Sequence, residues 1–372
     1  MWFGVDASRA AIGQRTGTEN YSLHLIRRLL ALNCERGRPH RYTLYFNQSP
    51  SPSLFPDSLG YEARAIPLPR LWTHLRLSLE MAQRAPEVLL VPAHVLPLVH
   101  PRRSVVTIHD LGYLYYPQAH SPLGGLYLRL STAYNARFAT RIIADSQATK
   151  EDIVRHLGVN PKKVTVVYPA VAPEFYPRED EPEVEAIRAK YGLPARYVLY
   201  VGTLHPRKNI LRLLEAYVKL LDAGEADASL VIAGKRGWLP SQMEGRLSQA
   251  PDKVIFTGYV PTEDLPFLYS GATAFVMPSL YEGFGLPIVE AMSCGTPVLA
   301  AKASSLPEVA GDAAVLFDPL SVEDIVGTLA RVLSDEGLRA GLREKGLHRA
   351  RCFSWQGAAE EATEVLEQAG QG

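Results

Sequence analysis

Twice along this chain, short unbroken apolar runs alternate with segments of helical period, and few folds accommodate that rhythm. In the first half the runs are WFGVDA (2–7), YTLYF (42–46), EVLLVPA (87–93), SVVTIHD (104–110), RIIADS (141–146) and KVTVVYP (163–169). Helical patterns such as 19–32 and 146–158 lie between them. The second half repeats the scheme with YVLYVG (197–202), SLVIAG (229–234), VIFTG (254–258), TAFVMPS (273–279) and TPVLAA (296–301). Its helical patterns run through 209–222, 262–270, 286–294, 321–333 and 335–349. Continuous apolar strands with helices between them indicate parallel sheets covered on both faces. The proline-rich stretch YPAVAPEFYPREDEP (168–182) can continue neither a helix nor a central strand, so it reads as an interdomain linker. The expectation is an α/β chain of two doubly wound, Rossmann-like domains, 1–170 and 171–352, facing each other across a cleft. Ligands are expected beyond the carboxyl ends of the strands.

Composition narrows the setting. The 372 residues suffice for two domains of ordinary size, and an apolar share of 47% supports a sizeable core in each. The richest apolar stretch, VLLVPAHVLPLV (88–99), is short and broken by Pro92 and Pro97. The start of the chain, MWFGVDAS, lacks a basic segment followed by a long apolar one, so no secretion signal is expected. Cys34, Cys294 and Cys352 are too few and scattered for a disulfide framework or a zinc site, which favours a cytoplasmic location. The net charge of zero hides a split: residues 1–170 hold 20 Lys+Arg against 11 Asp+Glu, and the rest holds 19 against 28. A basic half suits a polyanionic or membrane-surface partner, or is simply an arginine-rich solvated surface.

The segment SLYEGFGLPIVEAM (279–292) follows the carboxyl end of the run TAFVMPS. Gly283 and Gly285 permit a tight turn, and Pro287 suits the first turn of a helix that Gly295 stops. Glu282 then lies in the loop and Glu290 about one turn into the helix, so both can serve one ligand. Paired acceptors beside helix-end amides suit sugar hydroxyls. The plain alternative, acids favouring the helix dipole, fits Glu282 but not Glu290 among Ile288, Val289, Ala291 and Met292. The stretch VGTLHPRKNI (201–210) places Arg207 and Lys208 before another helix, a guanidinium fork and an ammonium fit to clamp a diphosphate, or else a solvated basic turn. His109 ends a first-domain strand in TIHDLGYLYYP (107–117), as a catalyst or as a satisfied core residue; Asp110 orients its ring or caps the next turn. The loop RAAIGQRTGTENYSL (9–23) is rich in glycine but lacks the dinucleotide fingerprint. FTGYVP (256–261) is a turn after a second-domain strand.

EGFGLPIVE, continued by AMSCGTPVLA, resembles the Glu-x7-Glu motif of the retaining glycosyltransferases of GT-B fold, family 4 type, and the likeness covers nearly the whole chain. The resemblance implies that Glu290 accepts hydrogen bonds from the donor ribose and that Glu282 lies by the transferred sugar. It also implies that the turn through Gly283 and the amides of Phe284, Gly285 and Leu286 hold sugar hydroxyls. Arg207 and Lys208 would steady the leaving diphosphate, and His109 would contact the transferred sugar. Gly17 would approach the donor diphosphate, and Gly258, Tyr259 and Val260 would border the nucleobase. Many relatives carry arginine where this chain has Thr203, a departure that hands the cationic role to Arg207 and points to the mannosyltransferase-like subgroup. The terminal segment 353–370 resembles a helix that crosses back to brace the first domain, with Trp355 as an anchor.

The resulting expectation is a retaining hexosyltransferase that moves mannose from GDP-mannose to a saccharide or lipid-linked acceptor in cell-surface polysaccharide or glycolipid synthesis. A UDP-hexose or dTDP-rhamnose donor, and a non-catalytic sugar-nucleotide-binding protein, are the alternatives. The sequence shows no Asp-x-Asp pair at a strand end, so no cofactor and no metal are expected, and no nucleic acid. The segment RLWTHLRLSLEMAQR (70–84), of helical period with arginines and leucines interleaved, either rests on an anionic membrane or packs as an ordinary core helix.

Overall fold

The structure, a computed structural model, describes all residues except 14–16, 52–53, 69, 94, 120, 236–244, 248 and 372. The chain divides into two compact units: Met1–Leu114, His120–Ala170 and Ser354–Gly372 form one, and Tyr115–Ala119 with Val171–Phe353 form the other.

The N-terminal unit holds strands β1 (Trp2–Asp6), β2 (Arg41–Phe46), β3 (Glu62–Ala65), β4 (Val88–Val91), β5 (Ser104–Ile108), β6 (Arg141–Ala144) and β7 (Val164–Val166). They form one sheet in the order β3-β2-β1-β4-β5-β6-β7, with every neighbouring pair parallel. The C-terminal unit holds β8 (Tyr197–Val201), β9 (Ser229–Ala233), β10 (Val254–Gly258), β11 (Ala274–Met277), β12 (Val298–Ala301) and β13 (Ala314–Phe317). Their order is β10-β9-β8-β11-β12-β13, again all parallel. Each sheet therefore has its strand order reverse once, between β1 and β4 and between β8 and β11, and loops leaving those strands part to opposite sides.

Two strands lie outside the predicted apolar runs, β3 and β13, and both are sheet edges. In β3 only alternate residues are partly covered, and it carries Glu62 and Arg64, so it offers no continuous apolar run. The central strands behave as read: Val88–Val91 and Ala274–Met277 are buried throughout, each fully buried valine or leucine contributing about 2 kcal/mol of transfer free energy. Several predicted runs overshoot at one end. Pro92, His109, Asp145 and Ser279 fall just past the carboxyl ends of β4, β5, β6 and β11, where the site loops begin.

The last helix, Trp355–Gln371, belongs to the N-terminal unit. Ala358, Ala359, Ala362, Val365 and Leu366 enter the same core as Leu25 and Leu29 of the Gly17–Glu35 helix. Small residues on one face let the two helices approach closely. Trp355 stacks on His24 at 5.5 Å and meets Tyr21 edge-on at 5.9 Å, so it anchors the helix.

Candidate active site

In the C-terminal unit the loops after β8 and β11 meet at the point where the strand order reverses. Pro206 opens a short 3-10 turn, Pro206–Lys208, whose Arg207 amide donates to His205 Nδ1 at 3.4 Å. Asn209 follows with φ 59°, a left-handed conformation that asparagine tolerates better than most residues. Its side chain is held on both atoms, Nδ2 donating to the Pro319 carbonyl at 2.7 Å and Oδ1 accepting from Arg212 at 2.9 Å. This corner turns the chain into the Ile210–Asp222 helix and holds Lys208 buried.

Opposite stands Glu282. Lys208 Nζ donates to Glu282 Oε1 at 2.5 Å, and Arg207 Nη1 donates to Oε2 at 2.9 Å and to the Tyr281 carbonyl at 2.8 Å. The Leu280 amide donates to the Arg207 carbonyl at 2.8 Å, so backbone as well as side chains lace the two loops together. Burial alone would raise the Glu282 carboxyl, but the Lys208 ammonium and Arg207 guanidinium outweigh it and hold it at about 2. Ser305 Oγ donates to the carbonyls of Glu282 and Phe284 at 3.0 and 2.8 Å, fixing the turn from behind.

Gly285, with φ 107°, caps the Leu286–Ser293 helix at its start, and Pro287 falls in the first turn. A Cβ on Gly285 would also meet the Leu306 side chain at 2.8 Å, so glycine is required there on both counts. Glu290 lies one turn in, with Oε2 accepting from the Tyr269 hydroxyl at 2.8 Å. Burial pushes its carboxyl up to about 7, and the Tyr269 hydrogen bond offsets this only in part. The two acids thus diverge: Glu282 is ionised and paired with cations, whereas Glu290 is buried against the Tyr269 hydroxyl and sits at the edge of ionisation near neutral pH.

Around this pair, Thr203 is exposed just past β8. Gly202 and Gly234 bring the ends of β8 and β9 together so tightly that a Cβ on Gly234 would fall 1.9 Å from the Gly202 carbonyl oxygen. Gly258 ends β10 with φ 70° and its carbonyl accepts from the Gly234 amide at 2.8 Å. Tyr259 is exposed with Lys235 Nζ 4.4 Å from its ring centre, and Val260 is buried.

In the N-terminal unit, His109 lies beyond β5 with both ring nitrogens engaged. Nε2 is 3.0 Å from the Pro92 carbonyl and Nδ1 is 2.6 Å from Asp145 Oδ2. A carbonyl can only accept, so Nε2 carries a proton. Burial works against the charged ring, but the Asp145 carboxylate outweighs it and raises the His109 pKa. Burial also raises Asp145 itself, so the pair holds one proton tightly between Nδ1 and Oδ2. The ring's partner is therefore Asp145. Asp110 instead caps the next turn, accepting from the Gly112 amide at 2.8 Å. The signal for Asp145 in the sequence is an acid at the carboxyl end of RIIADS, the run next to that of His109. Gly17 is exposed as the first residue of the Gly17–Glu35 helix; positions 14–16 of its loop lie outside the described residues. A cavity of about 390 Å³ opens beyond β1 and β2, lined among others by Ser8, Arg9, Asn47, His74 and Tyr127. No group of three or more His, Cys, Asp or Glu placed to hold a metal occurs among the described residues.

Known proteins resemble this chain in sequence and in fold. The family profile "Glycosyl transferases group 1" matches residues 183–349, and "Glycosyltransferase Family 4" matches 15–175. The O-antigen chain mannosyltransferase B of Escherichia coli is 36% identical over 257 residues, 68% of this chain and 67% of that protein. The serotype-specific mannosyltransferase WbdA of Escherichia coli is 34% identical over 233 residues, 61% of this chain but only 28% of that protein. Among solved structures, the sucrose-phosphate synthase of Thermosynechococcus elongatus superposes with a TM-score of 0.74 at 20% identity, covering 99% of this chain and 98% of the other. Anabaena HepE in complex with UDP-glucose superposes with a TM-score of 0.73 at 18% identity, covering 99% of both. The chain belongs to the family 4 glycosyltransferases of GT-B fold and is of the mannosyltransferase-like type.

Proposed function

We propose that this enzyme transfers mannose from GDP-mannose, with retention of configuration and without a metal, to a hydroxyl of a saccharide or lipid-linked acceptor in cell-surface polysaccharide or glycolipid synthesis. The observation that carries the proposal is the Arg207–Lys208 pair held against Glu282 at the switch point of the C-terminal sheet. Departure of a nucleoside diphosphate from the sugar builds negative charge on phosphate oxygen. Two preorganised cations in a poorly hydrated corner stabilise that charge more in the transition state than in the bound donor. Glu282 neutralises one of the two charges and keeps both cations in place before the donor arrives. In this reading Glu282 then contacts the transferred sugar. Glu290 takes the ribose hydroxyls, and the amides of Phe284, Gly285 and Leu286 hold sugar hydroxyls. Gly258, Tyr259 and Val260 border the base.

The acceptor is assigned to the N-terminal unit, with its 390 Å³ cavity as the space for a sugar ring. The leaving phosphate oxygen takes the acceptor proton as the new glycosidic bond forms on the face the diphosphate leaves. His109, with both nitrogens already bonded, reaches a sugar hydroxyl only by giving up the Pro92 carbonyl, so its part is to lend positive charge near the transferred sugar. The proposal includes a cytoplasmic location and contact of the 70–84 segment with an anionic membrane. Mannosyltransferase relatives at 34–36% identity favour mannose; a UDP-hexose or dTDP-rhamnose donor is the alternative. The test is donor turnover by wild type, Lys208→Ala and Glu290→Gln across GDP-, UDP- and dTDP-sugars. Loss of turnover in both variants with GDP-mannose as the preferred donor supports the reading, and unchanged rates in both overturn it.

A further inference from the structure

The Pro122–Phe138 helix is inside out. Its buried residues are Ser131, Asn135 and Ala136, small or polar, while Leu123 is 81% exposed, Leu130 63% and Leu126 53%. Positions 123, 126, 127 and 130 recur at three- and four-residue spacing, so they form one stripe. A helix that merely coated the sheet would carry charges there.

The stripe continues onto neighbouring segments of the same unit. Tyr127 is hydrogen-bonded through its hydroxyl to His74 Nε2 at 3.0 Å, which joins the helix to the segment where Leu71, Leu75 and Leu79 are also exposed. Leu71 is held at φ 56°, a backbone conformation leucine rarely adopts, with its side chain 65% exposed. The Tyr134 hydroxyl donates to the Pro97 and Leu98 carbonyls at 3.3 and 3.2 Å, bringing exposed Leu98 and Val99 alongside. Monomeric surfaces scatter single apolar residues, but a contiguous face of this kind marks an interaction site.

Charge identifies the partner. Arg129 and Arg137 project from the same helix, which contains no acid, and Arg70 and Arg102 are exposed on the adjoining segments. The one acid of the 73–84 segment, Glu80, is buried and paired with Arg64 and Arg76. Neither helix therefore presents a carboxylate beside the leucines. Leucines interspersed with arginines, on two helices that present no carboxylate beside them, match the boundary of a bilayer bearing anionic headgroups. A protein partner, or a second copy of this face, would have to bury those arginines against one another or against supplied acids.

We infer that the face built by the Pro122–Phe138 helix and the Leu71–Leu79 segment docks on an anionic lipid bilayer. This goes beyond the 70–84 contact by making Pro122–Phe138 the main contact, and it stands independently of the donor chemistry. The experiment is co-sedimentation of the full chain with vesicles of phosphatidylethanolamine containing about one quarter phosphatidylglycerol, for wild type, Leu126→Asp/Leu130→Asp and Arg129→Glu/Arg137→Glu. Both double variants change exposed side chains, and thermal unfolding checks that they fold. Wild type is expected to bind, each double variant to bind about tenfold less or weaker still, and about 1 M salt to release the protein by shortening the screening length to about 3 Å. Absence of wild-type binding at low salt, or equal binding by both variants, overturns the inference. A wild-type dimer that Leu126→Asp/Leu130→Asp dissociates, without vesicle binding, also overturns it and assigns the face to a second copy. Donor turnover is read separately, so loss of vesicle binding with turnover intact leaves the transferase proposal standing.

Discussion

Replacing Glu290 by glutamine should make the ligand-free protein more stable at pH 8 while removing its response to nucleotide. The unfolded carboxyl titrates at its ordinary 4.5 and the folded one at about 7, because burial penalises the carboxylate. Between those values the folded state holds a proton that the unfolded state has lost, so stability falls as pH rises through this window and stays reduced above it. At about 1.4 kcal/mol per pH unit, the displacement amounts to about 3 kcal/mol. Glutamine cannot ionise and still accepts the Tyr269 hydrogen bond, so it escapes the loss. For a unit of this size that is on the order of 6–12 °C in Tm at pH 8, shrinking to nothing near pH 4. Ribose hydroxyls donating to the carboxylate would favour its ionised form, so nucleotide binding to wild type near pH 6.5 should release a proton. Calorimetry in two buffers of different ionisation enthalpy reads that proton, and Glu290→Gln should abolish it. A glutamine variant no more stable than wild type at pH 8 would refute the burial argument.

Glu282 carries the opposite sign: its folded value near 2 lies below the ordinary 4.5, so its contribution is complete above pH 4.5 and is lost as pH falls toward 2. Glu282→Gln should therefore cost about 3 kcal/mol in urea unfolding at pH 7, leaving Lys208 buried without its counter-charge, and the deficit should narrow below pH 4. Asp145→Asn should lower the His109 pKa, an effect visible by NMR as its ring titration moving to lower pH; an unmoved titration would remove Asp145 as its partner. Gly234→Ala should destabilise the C-terminal unit by about 2–4 kcal/mol, since a Cβ would collide with the Gly202 carbonyl; an unchanged Tm would show the two strand ends free to part.

Much of this was legible because parallel sheets write themselves as unbroken apolar runs. The central strands, the Pro-rich boundary near residue 170 and the loop–helix unit around EGFGLPIVE all follow from local pattern. Strand β3 escapes for a physical reason: its partly covered residues are Glu62 and Arg64 and its alanines are exposed, so four residues offer no apolar pattern to detect. The Glu282 ion pairs are equally invisible, since 74 positions separate Glu282 from Lys208 and only the strand order brings them together. Sequence placed both glutamates near one ligand but could not show that one is already neutralised by cations. For the same reason nothing in the sequence links Asp145 to His109, 36 positions away, whereas of the two roles open to adjacent Asp110 it takes the cap. The outward face of the Pro122–Phe138 helix is not legible in the sequence, because leucines at helical spacing ordinarily mark the buried side.

The claim on which the account turns is that Arg207 and Lys208 grip the diphosphate of the donor. Its most direct measurement is the affinity of a nucleoside diphosphate relative to the same nucleoside, in wild type and in Lys208→Ala. The account predicts that the diphosphate binds wild type far more tightly and that Lys208→Ala loses about tenfold to a hundredfold of that affinity while nucleoside binding stays the same. Equal diphosphate affinity in the two proteins would contradict it.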